Sequence, residues 1–385
     1  MTARAPAAPS GPFRGLYVHV PFCLTKCPYC AFASATLDRC VGAIHELPPL
    51  LDRYVTAILT EAALGQGSTF DTVYLGGGTP SVLGPERLVR LLEGLRARVT
   101  IAPGAELTVE ANPGDVTPTL IAALVGAGMT RLSLGAQSFV NSDLAFLGRR
   151  HDAGAVRESI KMARHGGVPA IGLDLIYGVP GQSAAAWRRS VDEAVAWRPE
   201  HVSMYALTLE EGTPLSAAVA QGRVRAVTDE VLRRRFLAAS ERFEATGYEH
   251  YEVSNLALPG HRSRHNGAYW RRVPYLGLGP SAHSFDGARR WWNVRDTDGW
   301  LAALEHGREP RVEVEALTPE QERLEDLALG LRTGDGIDAA LVRGEPAWRV
   351  VRELERGGLV TRDGSRIRPT RRGLFVADGM AARLA

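Results

Sequence analysis

From residue 15 to about residue 206, short apolar runs alternate with amphipathic helical patterns, and this alternation constrains the fold more than any other feature of the chain. The candidate strands are Leu16–Val20, Thr72–Leu75, Leu107–Glu110, Arg131–Leu134, Ala170–Ile176 and His201–Tyr205. Between them, stretches near 50–64, 85–97, 117–127, 153–165 and 184–196 carry helical periodicity, several opened by Pro, Thr or Ser. Repeated strand–helix units connect right-handedly and build a parallel sheet. Six such units predict an α/β fold, a partial (β/α)6 barrel of the TIM type rather than a closed eightfold one. Functional groups of such barrels gather at the C-terminal ends of the strands. Cys23 follows the first candidate strand, a GGGTP run the second, Gln137 the fourth and Ala206 the sixth; Glu110 ends the third, and Asp174 lies within the fifth.

After Pro214 the pattern changes. Residues 228–246 read as one helix, and 248–300 as an irregular region rich in Tyr, His and Trp. From about 316 the order is helix, Gly-containing turn, helix and short strands around GLVTRDGSRIRPTRRG, a winged-helix-like α+β module. Four segments are therefore expected: a disordered lead-in (1–13), the barrel (14–225), an extension (226–310) and the C-terminal module (311–385). Winged helices often bind DNA, but arginines and acids balance at 13 each over 311–385, so no basic footprint exists and no nucleic-acid partner is expected. The net charge of +2 agrees. No apolar run approaches the roughly 20 residues that span a bilayer, and the first residues lack the apolar core of a secretory signal. The expected compartment is the cytoplasm.

Three of the four cysteines crowd into YVHVPFCLTKCPYCAF as Cys23, Cys27 and Cys30, a C-x3-C-x2-C spacing. A disulfide framework does not fit so few cysteines in so long a chain, and crowding of this kind points to metal. Zinc ordinarily takes four ligands in paired spacing, and there is no second pair. Three thiolates on a strand-end loop suit a [4Fe–4S] cluster with one iron left open. Cys40, ten residues on, reads as a small semi-buried thiol. A glycine run such as Gly76–Gly78 serves either a tight turn or close backbone approach to a ligand.

The cysteine motif and the segments after it resemble the radical S-adenosylmethionine (SAM) proteins related to oxygen-independent coproporphyrinogen III oxidase. The similarity runs from Tyr17 to at least Trp292 and more weakly to about residue 378. It implies a partial barrel, a [4Fe–4S] cluster on Cys23, Cys27 and Cys30, and SAM held by Tyr17, Gly77, Gly78, Thr79, Glu110, Gln137, Arg149, Asp174, Ala206 and His283. Arg149 rather than Arg150 matches the arginine that follows LG in the family. Coproporphyrinogen oxidases place a fourth cysteine two residues after the third; here that position is Phe32. They also carry a longer N-terminal extension for substrate and a second SAM, whereas this chain has 22 residues before Cys23.

Both departures resemble the heme-chaperone (HemW) branch of the family, as does His265-Asn266-x-x-Tyr269-Trp270, an HNxxYW signature. That resemblance implies heme as cargo and an apo-hemoprotein acceptor, such as a membrane-bound respiratory oxidase met transiently, with the chaperone a monomer or a dimer. Physically, an imidazole beside aromatic rings could ligate heme, with Arg264, Arg271 or Arg272 pairing its propionates. The same residues could equally hydrogen-bond a loop and pack on the barrel. His19, His151, His250, His261 and His283 compete as axial ligand. No catalytic residue is assigned. Radical decarboxylation of coproporphyrinogen III, or a related methyltransferase or heme-modifying activity, is the alternative to heme carriage.

Overall fold

The computed structural model describes residues 13–40 and 46–385. Seven parallel strands form its centre: β1 (Gly15–Val20), β2 (Thr69–Gly77), β3 (Thr100–Ala111), β4 (Arg131–Gln137), β5 (Ala170–Tyr177), β6 (His201–Ala206) and β7 (Tyr275–Leu278). In space β7 lies beside β1, and β2 to β6 follow in chain order on its other side. The first six are the expected units of the partial (β/α)6 barrel. Their interior positions are almost continuously buried, as strands covered on both faces must be. The helices between them bury one stripe each; in Gly84–Arg96 the stripe is Leu88, Leu91, Leu92 and Leu95. Side chains of Thr117, Asp152 and Ser183 cap the N-termini of three of these helices.

The barrel stays open because its ends are met by antiparallel strands rather than by each other. Asn255–Ala257 pairs antiparallel with β6. On the other side β7 continues into β8 (His283–Phe285), β9 (Arg289–Asn293) and β10 (Arg311–Ala316), all antiparallel. The region expected to be irregular thus holds a sheet extension, and the HNxxYW residues form a short helix, Arg264–Trp270, capped by Ser263. Residues 1–12 of the expected lead-in lie outside the described residues. Phe13 does not join them: its ring is 1% exposed and meets Trp291 edge-on.

The C-terminal residues have a core of their own, built from Leu327, Leu331, Ile337, Val351, Leu354, Val360, Ile367 and Met380 among others. Helices Pro319–Gly330 and Gly344–Arg356 pack there with a three-stranded sheet of Ile337–Asp338, Arg366–Pro369 and Val360–Asp363, a winged-helix-like arrangement. Arg290 pairs with Glu325, Arg272 with Glu325 and Asp326, and Arg371 with Glu244, tying this unit to the barrel side. Among the described residues no helix is long and apolar enough to cross a membrane.

Candidate functional site

Cys23 ends the two-residue strand Phe22–Cys23, which pairs with Ala35–Thr36 and closes the cysteine loop at its base. Three further contacts shape the loop. The Cys30 N–H donates to Cys27 O at 3.1 Å. The Lys26 ammonium donates to Phe32 O (2.6 Å), Ser34 O (2.9 Å) and Ser34 Oγ (2.9 Å). His19 bridges Tyr17 OH (3.0 Å, at Nδ1) and Ala33 O (2.7 Å, at Nε2). All three thiols line one cavity of about 570 Å³ that runs from the C-terminal ends of the strands down through the barrel toward Asn266. Among the described residues, no three His, Cys, Asp or Glu side chains are placed to hold a single metal ion. Cys40 packs on the main core, away from the cavity lining.

The glycine run is built against this loop. Gly78 N–H donates to Val20 O (2.7 Å) and Thr79 N–H to Phe22 O (2.8 Å). A Cβ on Gly78 would sit 2.7 Å from Phe22 O, 2.8 Å from Val20 O and 3.1 Å from Cys23 Sγ. Gly77 has φ +107°, and a Cβ there would strike the His19 ring at 2.6 Å. The run therefore serves close backbone approach, not only a turn.

A hydrogen-bonded arc then links two thiols. Thr79 Oγ1 donates to Cys23 Sγ at 3.6 Å, and Asn112 Nδ2 donates to Thr79 Oγ1 at 3.1 Å. Arg149 donates from Nη2 to Asn112 Oδ1 and to Gly135 O (3.2 Å), and from Nη1 to Cys27 Sγ at 3.4 Å. Arg150 instead pairs with Asp115, outside the lining. Asn112 escaped the sequence reading, although it stands two residues after Glu110 in the same strand-end segment.

Two carboxylates face the same space. Glu110 accepts from Tyr74 OH (2.6 Å) and Gly77 N–H (3.2 Å); burial pushes its pKa up to about 7, with Asp174 adding to the rise. Burial likewise lifts Asp174 to about 6, against hydrogen bonds from Ser203 and Ser133. Desolvated acids of this kind seek a cation. Gln137 lines the cavity with φ +63°, an uncommon conformation for a residue other than glycine, at a register shift between β4 and β5. Gly77, Gly78, Thr79 and Ala206 also line it, and Phe32, 67% exposed, stands at its mouth. The donor set fits an iron–sulfur cluster on three thiols beside a ligand with both cationic and anionic groups.

Two expected SAM contacts, Tyr17 and His283, are not among the residues lining the cavity. Tyr17 lies outside the lining, its ring turned toward Tyr74 and His265 at 6.2 and 6.4 Å. His283 is exposed at the start of β8, near enough to His19 to help lower its pKa.

The HNxxYW helix plugs the N-terminal end of the barrel. Glu106 accepts from the N–H groups of Arg264 (3.1 Å) and His265 (3.0 Å) and lies 3.4 Å from Arg131. The His265 ring is 2% exposed with both nitrogens engaged, Nδ1 by Thr72 Oγ1 (2.7 Å) and Nε2 by Tyr269 OH (2.8 Å). Burial pushes its pKa down to about 3. Tyr269 packs edge-on against His265 and Tyr275, and Trp270 keeps its indole N–H buried. Of the four motif residues only Asn266 reaches the cavity. Both ring nitrogens of His265 are thus engaged within the protein, the packing alternative of the two the sequence left open.

Comparison with known proteins accords with these features. The Radical SAM superfamily pattern matches residues 17–194, and the HemN C-terminal domain pattern matches 317–376. The solved structure of coproporphyrinogen III oxidase (HemN) from Escherichia coli superposes with a TM-score of 0.81 at 21% identity, covering 98% of this chain and 90% of that one, a likeness of fold. The heme chaperone HemW of Escherichia coli K12 is 35% identical over 300 residues, 77% of this chain and 74% of its own. The heme chaperone HemW of Mycobacterium tuberculosis is 39% identical over 380 residues, 98% of this chain and 95% of its own. At that identity and coverage, the chain belongs to the HemW family within the radical SAM superfamily.

Proposed function

We propose that this protein is a cytoplasmic radical SAM heme chaperone: Cys23, Cys27 and Cys30 hold a [4Fe–4S] cluster, the adjoining cavity binds SAM, and heme is carried to an apo-hemoprotein. The observation that carries the cofactor half is the arc from Cys23 through Thr79, Asn112 and Arg149 to Cys27, closed around one cavity with two high-pKa carboxylates. When bound, such a cluster supplies the electron that cleaves the sulfonium of SAM. The chain's own residues bind and orient. Glu110 and Asp174 attract the positive charge of the ligand, Arg149 fixes Cys27 and offers a guanidinium to the ligand carboxylate, and the backbone at Gly77 and Gly78 closes on both. Kinship with proteins named heme chaperones supports the cargo.

SAM affinity then depends on pH. Glu110 and Asp174 must be ionised to hold a cation, and burial pushes their pKa values up to about 7 and about 6. Binding releases protons and strengthens as pH rises through that window. Calorimetry at pH 5.5 and 7.5 is expected to show SAM held about tenfold or more weakly at the lower pH; a flat profile would remove both acids from the site.

The function itself is tested on the anaerobically reconstituted chain. Incubated with hemin and passed through a sizing column, it is expected to retain heme. Given SAM, reductant and coproporphyrinogen III, it is expected to release no carbon dioxide. Failure to retain heme, or release of carbon dioxide, would replace the chaperone by the decarboxylase.

A further inference from the structure

Resting on the heme-chaperone reading, we propose that the axial ligand to heme is His283, presented with Trp292 on the sheet extension, and not the histidine of the HNxxYW helix.

An axial histidine needs an accessible nitrogen and, beside it, an aromatic group to meet the macrocycle. Of the ten histidines, His45 lies outside the described residues. His19 and His265 have both nitrogens engaged. His201 is buried with Nε2 at Tyr251 OH (2.8 Å), and His151 is buried with Nε2 at Ala136 O (3.2 Å). His250 has Nδ1 at Ser240 Oγ (2.6 Å) and a sealed Nε2. His165 and His306 are exposed with Nδ1 held by the carbonyls of Lys161 and Ala302, but they end helices where no aromatic ring touches them. Among the described residues His261 has no ring beside it either.

His283 meets both conditions. It is exposed, neither ring nitrogen is hydrogen-bonded, and its ring stacks on Trp292 at 5.4 Å between centroids and 26° between planes. The stack follows from register: His283 stands opposite Trp292, so both side chains share one sheet face, with Glu313 next across the sheet. A ring perpendicular to the heme would bring the indole edge against the same heme face, an edge-to-face contact, while the stack holds the imidazole rotamer. Partial burial and the neighbouring Arg290 guanidinium lower the pKa of this imidazole, which favours the neutral ring that can ligate iron. Phe285 continues the face but is covered by the Arg272 and Arg290 guanidinium groups, which leaves the His283–Trp292 end open. Arg295, exposed just beyond β9 and without an ion-pair partner among the described residues, offers a counter-charge to a propionate.

Hemin titration of the reconstituted full chain, followed by absorbance and electron paramagnetic resonance, tests the assignment. His283→Ala is expected to bind hemin roughly tenfold or more weakly, to lose the low-spin signature of imidazole ligation, and to recover it on adding free imidazole. His283 is on the surface, so this variant should melt like the wild type. His265→Ala is expected to melt earlier yet keep the wild-type hemin spectrum. Wild-type spectrum and affinity in His283→Ala would overturn the assignment while leaving heme carriage intact. A wild-type chain that binds no hemin would instead overturn the heme-chaperone reading, and this assignment with it.

Discussion

Replacing any one of Cys23, Cys27 and Cys30 with alanine is expected to reduce iron from about four atoms per chain to background after anaerobic reconstitution. Two thiolates cannot hold the cube, and among the described residues no group of three His, Cys, Asp or Glu side chains is placed to hold a metal ion instead. Phe32 occupies the one position two residues beyond Cys30 where a fourth thiol would stand, and it points to the mouth of the cavity at 67% exposure. Cys40 packs on the core away from the lining, so Cys40→Ala should load iron normally. Iron and sulfide analysis with the visible absorbance of the cluster reads all four variants. Normal loading of a triad variant would mean that the cluster, if present, is held elsewhere.

The second large effect comes from a single methyl group. Gly78→Ala places a Cβ within 2.8 Å of two backbone carbonyls, those of Phe22 and Val20, and 3.1 Å from Cys23 Sγ. Neither carbonyl can swing away as a side chain would, because each accepts a hydrogen bond from this same turn. The strand bearing Cys23 and the glycine run must separate, which costs about 2–4 kcal/mol in lost hydrogen bonds and strain. The variant should melt several degrees lower and fail to load the cluster. Gly126, in the last turn of helix Pro118–Gly126, meets nothing within 4 Å of an added Cβ. There alanine is the better helix former, so Gly126→Ala should melt at or slightly above the wild-type temperature and load iron fully. Full iron in Gly78→Ala would contradict the close approach.

Local signals carried the barrel. Apolar runs flanked by helical periodicity located six strands, and the helix read at 153–165 is found at Ala153–His165. β7 was missed because YLGL is short and its parallel partner, β1, lies some 260 residues earlier; such pairing leaves no local trace. The helix Arg264–Trp270 was hidden for a related reason, being seven residues long and stabilised mainly by Glu106 from a distant strand. In the site, motif spacing brought out the cysteines and the glycine run, and strand-end position Glu110, whereas Arg149 and Asp174 entered only through the family resemblance. Asn112 became visible only when folding set it between Thr79 and Arg149. His265 shows the opposite limit: a histidine among aromatics reads equally as a ligand or as a packed, hydrogen-bonded residue, and only the fold brings Thr72 and Tyr269 to its two nitrogens.

The cofactor site is the centre of the account, and the electron paramagnetic resonance spectrum of the reduced, reconstituted chain tests it most directly. With three cysteine ligands and one open iron, the spectrum should change when SAM is added, and the change should be lost in Glu110→Gln with Asp174→Asn. A spectrum indifferent to SAM in the wild-type chain would contradict the placement of cluster and cofactor in one cavity.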